Sequence, residues 1–529
     1  MARDTSGGTA GFGRSLQNAF RGRRDPAPLA GQRSRTQNAM GDLHTRNVLD
    51  LMVRLAEVML SSGAGTADVV ATAQDVAQAY RLTNCVADVF LTTVFVSALS
   101  TADSPPITIV RSVQARATDY TRVAELDLLV QRITSGGVTV DEAHEAMDEL
   151  TERPHPYPRW IATAGWAGFA LGIALLLGGS WLTCVLAPVT AVAIDRTGRL
   201  LNRIGTPFFF QNVVGAMIAT LVAVAAYYFA GQGPTALVAT GIVMLLAGMT
   251  LVGAMQDAVT GYMIAAVSRL GEAVFLTAGI VVGILAGLKV ADVAGVTIEL
   301  NVDTTEVFAV PTRPLAISLA VFGAALAGAC FAVASYARLR SAAIAAIAAG
   351  VAELVLLSLG RAGFGQVFAS GFAAAVVGVL ATLISIRRKA PALMTATAGI
   401  MPMLPGLAVF RAVFYLAVDT KDFNDGLRQL VAAVAVALAL GSGVVLGEFI
   451  SSPLRYRAGR IGELLRVEGP PGLRRAVGEV VHLRSTDAAA PMSAGSQRSP
   501  SIALEPALGD DIDGVENTES SPTEADPHD

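Results

Sequence analysis

Pro402, Pro405, Gly406 and Arg411 fall within ten consecutive positions of an otherwise apolar stretch. Two prolines three residues apart break a helix, because each removes a backbone donor and clashes with the preceding turn. Where such a break lies in lipid, the freed carbonyls must be met by protein, water or a ligand. An opened helix offers amides to a carboxylate and carbonyls to an ammonium, which suits a zwitterion. Arg411 adds a planar fork for a carboxylate. Glu353 sits among Ala, Val and Leu. Insertion scales set the cost of a charge in such a place at about 2.5–3.5 kcal/mol. It is the first candidate for a proton-carrying carboxylate, with Asp257 the second. Two blander readings stand beside these: an ordinary proline kink and a static Glu353–Arg411 pair. Asp257, Glu272 and Glu448 also lie near span ends, where a plain boundary role is common.

The elements that must hold these residues are membrane spans. Ten apolar stretches crowd the chain at 160–179, 181–194, 207–230, 234–256, 271–289, 314–336, 341–359, 364–386, 391–417 and 427–450. About 20 apolar residues cross a hydrocarbon layer of about 30 Å. The second stretch is short, and the ninth is long and holds the break. Arg196, Arg199 and Arg203 follow the second; Arg338 and Arg340 the sixth; Arg387, Arg388 and Lys389 the eighth; Arg455, Arg457 and Arg460 the tenth. That segregation predicts both termini in the cytoplasm and the acidic 291–313 loop outside. The chain is 53% hydrophobic and 16% charged, too few charges for a soluble protein of 529 residues. Its net charge of −4 conceals an acidic tail and a mildly basic remainder, which suits an anionic cytoplasmic leaflet.

Outside the spans the chain divides further. Residues 1–42 and 486–529 read as disordered, and 451–485 as a cytoplasmic basic segment. No apolar core follows the N-terminal arginines, so no signal peptide is expected. Residues 43–155 read as a small α/β domain. Helical spacing runs from Leu43 to Leu60 and Gly63 can end it. Thr66 is expected to cap a second helix reaching Tyr80, with Asp68 in its first turn. Val86–Leu99 and Ile107–Val113 suit strands. A helix follows near Thr121–Ile133, and Thr139 with Glu142 forms a capping box for another. The spans then fall into 156–290 and 314–450.

These two halves look alike. Leu245–Leu270 and Met403–Leu430 both run from an apolar-Gly turn to a polar connection and a final span. Gly248 and Gly406 align about 158 positions apart. Gly248 and Thr250 are therefore the first-half candidates for substrate contact. Five spans per half is an odd number, so the second half enters from the opposite side, as in the inverted repeats of secondary transporters. The fold class is a mainly α polytopic bundle of ten spans as two five-span inverted repeats, with an N-terminal cytoplasmic α/β domain.

The order of a domain opening LAEVMLSSGAGTADV (55–69), five spans, and five more carrying MPMLPG (401–406) resembles the threonine/serine exporter family. The likeness covers about 43–465. It implies export of L-threonine and L-serine across the cell membrane, driven by the proton motive force. The family's first-half turn is also Pro-Gly, whereas this chain has Ala247-Gly248, so a less sharply broken first half is expected. Some relatives are linked to dicarboxylate export, which keeps that substrate open. A membrane-anchored sensor working through 43–155 is the alternative from another class; a channel is a third and weaker one. A substrate hydroxyl would need a polar partner, with Thr250, Gln256 and Gln211 available. There is no GxxxxGK[ST] loop, and all five histidines lie outside the spans. Neither ATP drive nor a Ser/His/Asp or HExxH enzyme is expected. Cys85, Cys184 and Cys330 have no motif spacing, so no disulfide, metal or cofactor is expected. The expected partners are the amino acids, protons and lipid, with no nucleic acid; homo-oligomerisation stays open.

Overall fold

The computed structural model describes residues 29–458, apart from 83, 91, 101–104, 114–118, 232–234, 247, 297–312, 389–391 and 418–422. Most of the expected external loop, the acidic tail, most of the basic segment, and residues 1–28 of the N-terminus lie outside the described residues.

The first part is an α/β sandwich of one sheet and its helices. Helix α1 (Leu29–Ser61) starts before the expected Leu43, and ends where Gly63 takes a φ of +90°. Helix α2 spans Thr66–Ala79. Strands β1 (Cys85–Phe90), β2 (Thr93–Ala98) and β3 (Ile107–Ser112) form an antiparallel sheet in that order, with Phe90 opposite Thr93 and Ala98 opposite Ile107. The strand-like stretch Val86–Leu99 holds two strands that fold back as a hairpin. Folding back lets each half satisfy the other's backbone groups, which one long strand on so small a sheet could not do. Helix α1 covers β2 and β3, and α2 covers β1. The alternate residues Ala87, Val89, Val94, Val96 and Ala98 meet Leu51, Leu55 and Val76 in the core between them. Helix α3 (Tyr120–Thr134) is capped by the Asp119 carboxylate, which accepts from the Thr121 and Arg122 amides. Helix α4 (Val140–Glu152) opens with the expected Thr139–Glu142 capping box. The two hydrogen bonds from Thr139 hold the Glu142 carboxyl below the usual carboxylate range.

Then come the apolar helices: α5 (Arg159–Leu176), α6 (Trp181–Arg203), α7 (Phe208–Ala230), α8 (Thr235–Leu245), α9 (Gly248–Val259) and α10 (Met263–Val293). A second series follows: α11 (Pro314–Ala334), α12 (Leu339–Arg361), α13 (Gln366–Arg388), α14 (Ala392–Ile400), α15 (Gly406–Ala417) and α16 (Phe423–Ala458). Seven of these are long and apolar enough to cross a membrane, or eight if the bent pair α8–α9 counts as one. The chain is a polytopic helical membrane protein. Helix α6 carries an aspartate and three arginines in its last turns, and α14 and α15 are short, so these fall outside that set.

The two series match in length and partners. Trp181 and Leu339, Phe208 and Gln366, and Gly248 and Gly406 open equivalent helices, each pair 158 positions apart. Helix α6 packs on α5, α7 and α8; α12 packs on α11, α13 and α14. Helix α10 lies on α7 and α9, as α16 lies on α13 and α15. The halves meet along α5 and α11, where small residues let two backbones touch. A Cβ on Gly172 would stand 2.6 Å from the Gly323 carbonyl oxygen, and one on Gly165 2.7 Å from the Ala334 nitrogen.

Gly172→Ala should therefore lower the thermal unfolding midpoint of the detergent-solubilised protein, because backbone cannot yield as a side chain can, and overpacking costs about 1–3 kcal/mol. Gly198→Ala, in the open space of α6, should raise it slightly, since alanine favours helix over glycine by up to about 1 kcal/mol.

Candidate functional site

Both expected breaks are present. Helices α8 and α9 meet at 54°. Ala247, on which the expectation of a weaker first-half break rests, lies outside the described residues. In the second half, α14 gives way to a tight turn at Met401–Met403, Leu404 is extended, and α15 starts at Gly406. Pro402 lies buried in the turn. Pro405 immediately precedes α15 and its carbonyl accepts the Val409 amide. A missing N–H costs least there, ahead of amides that have no helical partner anyway. Gly406 lies against Val243 of α8, and any Cβ would run into that side chain. The start of one broken span therefore rests on the other.

Arg411 lies in the second turn of α15, 5% exposed, with Nε and Nη1 buried and without a hydrogen-bond partner among the described residues. Glu353 is buried in α12, which packs on α14 and the Met401–Met403 turn. Glu353 and Arg411 form no ion pair among the described residues. A static pair between them is not what the fold builds. Gly248 and Thr250 open α9, with Thr250 buried. Asp257 stands nine residues further on, about 14 Å along a straight helix at 1.5 Å per residue, and so belongs to a separate cluster.

That cluster joins the α/β part to the bundle. Asp257 has no exposed surface. Its carboxylate accepts from the Thr66 amide at 2.7 Å and the Thr66 hydroxyl at 3.1 Å. Arg269 of α10 pairs with it at 3.0 Å and donates to the Ala64 carbonyl at 2.7 Å. Thr66 is therefore not the cap of α2. Gly65 holds that position, and the Thr66 hydroxyl is spent on Asp257 instead. The Gly65 backbone lies close to both Asp257 and Gln256, and the guanidinium of Arg269 lies over Gly253, filling the space a side chain would take. Arg269 was not flagged by the sequence, and Thr66 only as a helix cap. A lone arginine at the head of an apolar stretch, one turn from a span boundary, was the available signal. Gln211, the other amide considered, donates to the Thr206 carbonyl.

A second seam ties α3 to the second series. The Tyr120 amide donates to the Ser335 carbonyl at 3.1 Å and the Thr121 hydroxyl to that of Tyr336 at 2.6 Å. Asp119 meets His155 at 2.7 Å, and the His155 ring stacks on Tyr336. The Tyr120 ring is buried edge-on to Phe331, with its hydroxyl beside Thr397 of α14, and burial pushes that phenol well above its ordinary range. The α/β part thus touches both broken spans, one through Asp257 and the other through Thr397. Burial also pushes the free Cys85 thiol up to about 11, which leaves it an unreactive side chain.

The described residues form a polytopic helical bundle with a break in each series and a buried guanidinium, Arg411, two of whose nitrogens have no hydrogen-bond partner among them. Residues 50–291 match the family described as "Putative threonine/serine exporter", and 320–450 match "Threonine/Serine exporter, ThrE". The chain is 70% identical over 514 residues to a "Probable threonine/serine exporter" of Mycobacterium tuberculosis (strain ATCC 25618 / H37Rv), covering 97% of each. It is 35% identical over 416 residues to a "Threonine/serine exporter" of Corynebacterium glutamicum, covering 77% of this chain and 83% of that one. No solved structure matches. The chain belongs to the threonine/serine exporter family.

Removing one partner of the buried pair should be severe. Asp257→Asn or Arg269→Gln leaves the other charge unmatched, at about 3–5 kcal/mol. The double variant should lose less than the sum of the two, with a coupling of about 0.5–3 kcal/mol. Thermal unfolding in detergent measures all three; simple additivity would show that the two side chains do not depend on each other.

Proposed function

We propose that the chain is a secondary transporter that exports L-threonine and L-serine from the cytoplasm, driven by the proton motive force. In this reading ten spans form two five-span inverted repeats in the cell membrane. Both termini and the α/β domain of 43–155 face the cytoplasm. The repeat is supported by the matched helix lengths, the constant offset and the shared packing partners. The substrate class is supported by the family and by the relatives' names.

The observation that carries the mechanism is Arg411. A buried guanidinium whose Nε and Nη1 meet no acceptor among the described residues is expensive unless an anion visits it. It stands in the second turn of α15, one turn beyond the first-turn amides at the break. The substrate carboxylate binds there, through Arg411 and the amides that Pro402, Pro405 and Gly406 leave free. The ammonium faces carbonyl ends at the breaks, and Gly248 and Thr250 supply the facing wall from the other half. Glu353, buried beside the broken ninth span, carries the coupled proton. Asp257 is the second group whose charge the cycle can change. Protonating it weakens its hold on Arg269 and Thr66, and so loosens the first broken span from the α/β domain.

Cells loaded with a threonine-containing dipeptide should export threonine, and an uncoupler should stop the export. A variant carrying Pro402→Ala and Pro405→Ala should stay in the membrane, since alanine favours helix over proline by about 3 kcal/mol per site, yet lose export because the freed amides and carbonyls now pair with each other. Export indifferent to the uncoupler rules out proton drive. Normal export by the double-alanine variant would reduce the prolines to a bend.

A further inference from the structure

Helices α6 and α12 hold the same place in the two series, each 23 residues long, with their first residues 158 positions apart. At that offset Glu353 of α12 corresponds to Asp195 of α6. Each acid lies eight residues before its helix's terminal arginine, Arg203 or Arg361. Asp195 has no part in the site described above. Its side chain is 8% exposed. It accepts from the Thr163 hydroxyl of α5 at 2.7 Å and pairs with Arg199 of its own helix at 3.0 Å. Arg199 also reaches the Arg159 carbonyl at 3.4 Å.

We infer that Asp195 is a further proton-handling residue, the counterpart of Glu353 in the first series. This rests on the proposed proton-coupled export. In an inverted repeat α6 and α12 cross the membrane in opposite directions. Eight residues at 1.5 Å each place each acid about 12 Å before the terminal arginine of its own helix, Asp195 one residue past the 181–194 stretch. Asp195 is then the station nearer the cytoplasm and Glu353 the one nearer the outside.

Their surroundings are clean enough for two acids to dominate. Of the helices against α6, α7 and α8 carry no Asp, Glu, Lys, Arg or His, and α5 only Arg159. Besides Arg199, helix α6 adds Arg196 and Arg203 beyond Asp195. Of those against α12, α14 has no ionisable side chain and α11 only Cys330, while α13 has Arg387 and Arg388 at its far end. Helix α12 itself adds Arg340 and Arg361 near its two ends. Asp195 is faced by a cation and Glu353 by none among the described residues. The two stations therefore differ in the charge that faces them.

The competing role for Asp195 is a tie between α5 and α6. Reconstitution into vesicles separates the two. Uphill threonine transport under an imposed pH gradient is compared with threonine–threonine exchange without one. Asp195→Asn should lose the gradient-driven transport and keep exchange, as Glu353→Gln should. Asp195→Glu should restore it with a shifted pH profile. Thr163→Val, which removes a hydrogen bond but keeps the acid, should stay coupled with a displaced pH midpoint. Gradient-driven transport that survives Asp195→Asn overturns the inference. So does loss of exchange together with transport at normal reconstituted levels, which is what a structural tie predicts. If Asp195→Asn does not reconstitute, an unmoved pH midpoint in both Asp195→Glu and Thr163→Val overturns it. Wild-type transport that ignores the gradient would instead sink the proton-coupled reading itself.

Discussion

A carboxylate without exposed surface must be met by an opposite charge and by hydrogen bonds, or its ionised form is driven out. Asp257 meets that condition with groups from two distant segments. Thr66 supplies an amide and a hydroxyl from the turn after α1, and Arg269 supplies a guanidinium from α10. The local glycines follow from this. Gly65 lets the turn approach the carboxylate closely, and Gly253 leaves the space in which the arginine lies. The SSGAGTADV stretch is thereby a docking turn for the first broken span, and the α/β part is fastened to a piece of the bundle that is itself interrupted.

The two halves use the same position differently. At the 158-residue offset Gly253 corresponds to Arg411. In the first half the guanidinium over that position comes from Arg269 and is already matched by Asp257. In the second half the arginine stands on the broken helix itself and two of its buried nitrogens have no acceptor among the described residues. One half closes its arginine with an internal carboxylate; the other leaves two nitrogens of its arginine without a hydrogen-bond partner among the described residues.

Much of this was legible in the chain. Polytopic helix follows from hydropathy alone, because lipid leaves no other way to satisfy the backbone. The MPMLPG break was readable for the same reason, and Gly248 and Gly406 do open equivalent half-helices. The capping box at Thr139 was local chemistry and came through intact. What failed was non-local. Thr66 has the composition of an N-cap, but a carboxylate 191 positions away outcompetes its own helix for the hydroxyl. The hairpin in 85–98 was hidden because both strands are apolar and no Asn-Gly or Asp-Gly marks the turn. The angle between α8 and α9 has no proline to announce it. Arg269 carried no pattern, since a single basic residue at a span end is ordinary.

The account stands most directly on Arg411 as the receptor of a substrate carboxylate. Calorimetric titration of the purified protein with L-threonine and with L-threoninol isolates that contact, because the alcohol keeps the side chain and the ammonium and lacks only the carboxylate. The account predicts heat of binding for threonine and none for threoninol, with Arg411→Gln abolishing the difference. Equal binding of the two ligands by the wild-type protein would contradict it.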